Sequence, residues 1–162
     1  MTLPADEVRL LVIRETLKEL GDWTQAREDL LLGTAIQESG LGKTLKEGRL
    51  AGIYHISPAT HRAVWDKYLI NQPELASLIR GLAGQRSFLQ DPHGELITNL
   101  KYATAIAWLI YKRTGQELSE NSTLEDLARY WHRHFHSRPN GKVEDFIAHF
   151  RSTALSVPTI AA

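Results

Sequence analysis

Glu38 is the residue in this chain with the clearest capacity for chemistry. It closes an apolar run that includes Leu30, Leu31, Leu32, Ala35 and Ile36, and Ser39-Gly40 follows at once. A helix C-terminus carries partial negative charge, so a carboxylate there is disfavoured. An apolar helix also desolvates it, and desolvation raises a carboxyl pKa and can keep the group protonated near neutral pH. A protonated glutamic acid in a cleft can donate its proton to a glycosidic oxygen. Taken alone, Glu38 also reads as an ordinary solvated residue before a helix stop.

Hydrolytic glycosidases use two carboxylates. Glu47, in the loop that follows, is the candidate second carboxylate; its neighbours Lys43, Lys46 and Arg49 support the alternative of a solvated loop. Asp66 and Asp91 sit in weaker contexts, Asp91 as a turn residue before Pro92. Ser39 and Ser57 lack the Gly-x-Ser-x-Gly setting of a nucleophile, and Ser39 reads as a residue that fixes a turn or the glutamate. His132, His134 and His136 invite a zinc reading, because His132 and His136 would share a helix face. There is no His-Glu-x-x-His, and Arg133 and Arg138 add positive charge, so these rings read as groove or helix-end residues and no metal is expected. Trp131, beside Tyr130 and charged residues, is the candidate sugar platform; Trp65 and Trp108 lie on apolar helical faces and read as core.

The elements that must position these groups are helices. Val8, Leu11, Val12 and Leu20 make a stripe over residues 5–20, stopped by Gly21. Thr24 or Asp22 caps the next helix, without a capping box, and that helix is apolar on most of its circumference and therefore central and buried. Residues 40–52, with four glycines, form a loop or a small hairpin. Ser57-Pro58 starts a helix to about Asn71, and Pro73 starts another that stops near Gly81 or Gly84. Residues 84–94 read as a connector and 95–113 as the longest helix, ended by Gly115. Thr123 caps a helix through Trp131, Pro139-Asn140-Gly141 turns, and Val143 to Phe150 gives the last helix, with a frayed tail after about 155. No segment alternates with period two, so the fold class is mostly α, one domain over 1–162.

Composition narrows the function. The 162 residues carry 19 Lys+Arg and 19 Asp+Glu, so no bulk field draws the chain to nucleic acid or anionic lipid. The basic, aromatic patch of Arg129, Trp131, Arg133, Phe135 and Arg138 argues only weakly for nucleic acid and would suit an anionic glycan-peptide polymer equally. There are no cysteines, which excludes disulfides, thiolate metal sites and a cysteine nucleophile. No apolar run approaches the ~20 residues of a membrane helix. The N-terminus has no basic segment followed by an apolar core, so no signal peptide is expected.

Glu38-Ser39-Gly40, then Gly52-Ile53-Tyr54-His55-Ile56-Ser57-Pro58-Ala59-Thr60, resembles the lytic transglycosylases of the goose-type lysozyme superfamily. Their pattern is a helix-ending Glu-Ser-Gly, a short glycine-rich excursion, then Gly-Leu-Met-Gln-Ile-x-Pro-x-Thr. The resemblance implies a lysozyme-like fold and Glu38 as the sole catalytic carboxyl. As acid it protonates the bond between N-acetylmuramic acid and N-acetylglucosamine; as base it then helps the muramic 6-hydroxyl attack C1, leaving a 1,6-anhydro end. Ser39, Ile53, Tyr54 and His55 are the implied supporting or substrate-binding residues, with His55 in place of the family's Gln. Asn99 to Ala107 looks like the family's buried helix. Ala128-Arg129-Tyr130-Trp131 stands where the family has Ala-Ala-Tyr-Asn-Ala-Gly, which makes Tyr130 the residue expected to orient Glu38. The Asn-Ala-Gly is replaced, and the resemblance covers roughly residues 28–135. It implies a monomeric peptidoglycan-cleaving enzyme with no cofactor, no nucleic acid and no membrane partner. Such an enzyme acts on the cell wall after delivery by phage lysis machinery, a virion or a secretion system. The alternatives are a hydrolytic muramidase and a non-catalytic glycan-binding or virion structural module of the same fold.

Overall fold

The computed structural model describes residues 2–154, so the expectation for the tail lies outside them. The segments Ala5–Glu7, Val8–Ile13 and Arg14–Glu19 run on as one rod, α1, wound with π geometry in its middle. Gly21 at φ +73° lets the chain leave α1, and α2 (Gln25–Ser39) follows. Thr24 caps α2 through its hydroxyl, which accepts the Arg27 N–H at 3.1 Å. Leu30, Leu31, Leu32 and Ala35 are buried on every side, so α2 is the central helix that its composition predicts. α1 and three later helices pack around it.

The excursion after α2 contains the only sheet among the described residues, a hairpin of β1 (Lys46–Glu47) and β2 (Leu50–Ala51) with Lys46 opposite Ala51. α3 (Pro58–Ala63) starts at Ser57, whose hydroxyl accepts the Thr60 N–H, and continues as a π turn (Val64–Tyr68) and a 3-10 turn (Leu69–Asn71). α4 spans Pro73–Leu82. The expected connector at 84–94 instead holds a short helix, α5 (Gln85–Gln90), before the turn at Asp91.

The expected single helix at 95–113 is two. α6 (Glu95–Thr98) stops at Asn99, which caps α7 (Leu100–Lys112). Asn99 Oδ1 accepts the Tyr102 N–H at 3.0 Å, while Nδ2 donates to the Leu82 carbonyl and to Glu95. Asn breaks the run because it satisfies backbone groups at a helix end better than it continues a helix. α7 is buried from Tyr102 to Tyr111 and crosses behind α2. α8 (Leu124–His134) begins in a Thr123–Asp126 capping box. α9 (Val143–Thr153) lies along α2, where Phe146 packs on Gly33 so closely that an added Cβ would come within 2.3 Å of its ring. The architecture is mostly α around one apolar core, and no helix among the described residues is long and apolar enough to cross a membrane.

A buried charge cluster fastens α1 to α2. Glu28 has no exposed side-chain surface and accepts from Arg14 Nε at 2.6 Å, Arg9 Nη1 at 2.7 Å, Trp23 Nε1 at 3.0 Å and Gln25 Nε2 at 2.9 Å. Burial alone would raise its carboxyl, but the donors from Arg14, Trp23, Arg9 and Gln25 outweigh that, and the pKa falls to about 2. A carboxyl lowered on folding contributes stability above its ordinary pKa of 4.5, and that contribution is lost as pH falls toward 2. Urea unfolding between pH 5 and pH 2 is therefore expected to show a loss of about 3 kcal/mol in the native chain that is absent from Glu28→Gln. Equal acid slopes for the two proteins would refute this role.

Candidate functional site

Glu38 sits in the last turn of α2, where the helix dipole opposes a carboxylate. Two side chains from far along the chain meet it there. Trp131 Nε1 donates to Oε2 at 2.9 Å, and His136 Nε2 meets Oε1 at 2.9 Å. Trp131 comes from the buried face of α8; its ring is 1% exposed and stacks on Phe146 at 5.4 Å. His136 arrives one turn later, after α8 ends and the chain bends past Phe135. The Glu38 side chain exposes 0% of its surface and His136 exposes 13%, so the imidazole stands between the carboxyl and solvent. Tyr111 packs behind the same region. Burial holds its hydroxyl well above the ordinary phenol range, the Thr34 hydroxyl at 2.7 Å opposes that, and the charge on Glu38 adds to it.

The loop from Gly40 to Ile56 is bolted beside Glu38 by Ser39. Its hydroxyl is 2.6 Å from the Ile53 carbonyl and 3.1 Å from that of Ala35, and it accepts the Gly42 N–H at 2.8 Å. Ser39 therefore fixes the turn after α2, and Ile53 takes part in that turn through its backbone. Tyr54 is fully buried and its hydroxyl meets Thr104 at 2.9 Å, which makes it a core residue rather than a substrate contact. His55 is also buried, at φ +47°, a conformation that His tolerates better than most residues. Its Nε2 lies 2.9 Å from the Thr44 carbonyl and its Nδ1 lies 3.6 Å from Glu47, so it props the hairpin from inside. Glu47 is 68% exposed on that hairpin.

Two expectations change at the α8 end. Tyr130 does not orient Glu38: its hydroxyl donates to the Gln116 carbonyl at 2.7 Å, and its ring lies against Tyr111 and His134. Trp131 is not a sugar platform, because its faces are buried and its N–H is spent on Glu38. The three histidines diverge, with His132 exposed, His134 on Tyr130 and His136 on Glu38. Among the described residues no three His, Asp or Glu side chains converge as a metal site.

Two hollows flank β2 and the start of α3. One, of about 240 Å³, is lined by Leu50, Ser57, Thr60, His136, Arg138 and Asn140, and it is the space that Glu38 addresses through His136. The other, of about 420 Å³, lies across Ala51 and Pro58 and is lined by Lys46, Arg49, Arg62 and His93, with Asp91 as its only carboxylate. The larger hollow is not the one next to Glu38; the buried carboxyl stands behind the smaller. Behind the larger hollow runs a network that no spacing argument had singled out. His61 Nδ1 meets His93 Nδ1 at 2.8 Å, His61 Nε2 meets the Tyr102 hydroxyl at 2.6 Å, and Trp65 Nε1 donates to that hydroxyl at 2.9 Å. Burial, with His93 and Arg62 adding, pushes His61 down to about 4, so it is neutral at pH 7. The one sequence signal was His61 and Trp65, four residues apart on α3 and the π turn that continues it.

Gly52 holds the returning loop against α6. At φ +80° a side chain is strained, and a Cβ there would lie 1.9 Å from the Leu96 carbonyl oxygen, a backbone atom that cannot swing away. Gly52→Ala is expected to cost about 3 kcal/mol or more and to lower Tm by about 10 °C in thermal unfolding. An unchanged Tm would show that the loop is free to move off α6. Comparisons with family models, with curated proteins and with solved structures return no match, so the functional reading rests on the site itself.

Proposed function

We propose that this chain cleaves the β-1,4 bond between N-acetylmuramic acid and N-acetylglucosamine in bacterial peptidoglycan by lytic transglycosylation, in a lysozyme-like fold. The observation that carries the reading is Glu38 itself: a carboxyl without exposed surface at the end of the central helix, tied through Ser39 to the loop at Ile53 and set behind a hollow. That is the pairing of a helix-ending Glu-Ser-Gly with a returning Gly-Ile-Tyr-His-Ile-Ser-Pro-Ala-Thr loop which resembles the goose-type lysozyme superfamily. In this reading the site protonates the glycosidic oxygen as its bond to C1 breaks. It then takes the proton of the 6-hydroxyl as that oxygen closes on C1, which gives the 1,6-anhydro end.

Two further features support this outcome over its rivals. The residues lining the hollow beside Glu38 include no carboxylate, and Glu47 is exposed on the hairpin, directed to His55. Two-carboxylate hydrolysis needs a second acid across the scissile bond, whereas transglycosylation uses a nucleophile that the sugar supplies. The neighbouring hollow gathers Lys46, Arg49 and Arg62, none of which has a carboxylate partner among the described residues. Such a hollow suits a glycan that bears peptide carboxylates. No cofactor enters this chemistry. The substrate places the site of action in the bacterial wall, reached by phage lysis, a virion or secretion.

Mass spectrometry of muropeptides released from purified wall tests the reading. Transglycosylation yields products one water lighter than the reducing ends of a muramidase. Glu38→Gln is expected to slow release by about 10²- to 10⁴-fold. Release at the wild-type rate would leave a glycan-binding module as the surviving alternative.

A further inference from the structure

His136 occupies the position from which any proton associated with Glu38 must reach a ligand. Glu38 exposes no side-chain surface, its Oε2 is taken by the Trp131 N–H, and its Oε1 is taken by His136 Nε2 at 2.9 Å. Trp131 has a donor and no acceptor, so its contact with Oε2 passes no proton, and the Oε1–Nε2 contact is the one hydrogen bond on Glu38 along which a proton can pass. His136 lines the hollow, and its Nδ1 makes no hydrogen bond among the described residues. A buried carboxylate that grips one imidazole nitrogen while the other is left for a reacting group is how acid–base dyads are built.

We propose that His136 is the catalytic residue that delivers and recovers the proton, with Glu38 as the buried carboxylate that orients its ring and balances its charge. This rests on the glycan-cleaving reading and changes which atom meets the ligand. In the first step the proton on His136 Nδ1 moves to the glycosidic oxygen. The C1–O bond breaks, its electron pair stays on that oxygen, and the imidazole becomes neutral while keeping Nε2–H toward Glu38. In the second step the 6-hydroxyl oxygen forms a bond to C1 and its proton passes to Nδ1, which restores the imidazolium. No proton is gained or lost over the cycle. Arg138, from the same loop, is the one other charged side chain lining the hollow; β2 and α3 contribute only Leu50, Ser57 and Thr60.

The test uses the full chain on solubilised glycan strands. His136→Ala is expected to lower kcat by about 10²-fold or more and to recover at least a tenth of the lost rate when free imidazole is added. His136→Gln keeps an N–H for Glu38 but carries no transferable proton, so it stays slow and is not rescued. A His136→Gln rate equal to wild type overturns the proposal, because the ring then serves only to hold Glu38. A His136→Ala rate equal to or above wild type also overturns it, because the ring then merely covers Glu38, which reacts directly. Folding of each variant is checked by its thermal transition. If His136→Ala does not fold, the decision passes to the proton spectrum of the wild-type chain: a hydrogen-bonded His136 N–H signal that Glu38→Ala abolishes supports the dyad, and its absence overturns it. A wild-type chain that releases no product from any wall defeats the functional reading, and this role with it, even where that signal is present.

Discussion

The structure turns on one unfavourable placement, a carboxyl buried at the negative end of an apolar helix. Taking an unpaired carboxylate out of water costs several kcal/mol, and the dipole of α2 adds to that cost. The fold answers with the Trp131 N–H and the His136 imidazole, carried in from α8 and the bend after it, 93 and 98 residues away. Much of the C-terminal third follows from this demand. α8 must present Trp131 inward, Phe146 of α9 must back its ring, and Gly33 must leave room for Phe146. The bend from Phe135 to Gly141 is then held to α2 by the Gln37 side chain, which donates to the Asn140 carbonyl at 2.9 Å.

A second constraint acts on the other side of Glu38. The loop of residues 40–56 is short, buried at its base and polar at its tip. Ser39, Gly52 and His55 each fix one part of it: Ser39 to the end of α2, Gly52 to the backbone of α6, His55 to the inside of the hairpin. The tip is left to carry Lys46, Glu47 and Arg49 into solvent. Because Leu50 and Ala51 point to opposite sides of β2, one short strand forms a wall of both hollows. A ligand lying across that ridge would meet the Glu38–His136 pair on one side and the cationic cluster on the other.

Much of this was legible from local signals, because caps and stops are local chemistry. Thr24, Ser57-Pro58 and Thr123 start their helices as their side chains dictate, and Gly40 at φ +62° ends α2. The periodicity over 95–113 hid the break at Asn99: its cap on Tyr102 is local, but its ties to the Leu82 carbonyl and Glu95 appear only in three dimensions. The same is true of His55. A polar residue in a loop reads as exposed, and only the fold shows that its ring fills the inside of a hairpin. The expectation for Tyr130 failed by one position. Adjacent residues on a helix point about 100° apart, so when Trp131 faces Glu38, Tyr130 faces away toward Gln116.

That one-residue shift has a chemical consequence. A tyrosine hydroxyl can donate or accept, and a carboxyl held by one can carry its proton on either oxygen. An indole N–H can only donate. Of the two contacts, only the one between Oε1 and the His136 imidazole can therefore pass a proton. The pair therefore has two arrangements, a neutral acid beside a neutral ring and a carboxylate beside an imidazolium. The two arrangements differ only in where one proton sits along the 2.9 Å contact, and the ring that shares it is the side chain that lines the hollow.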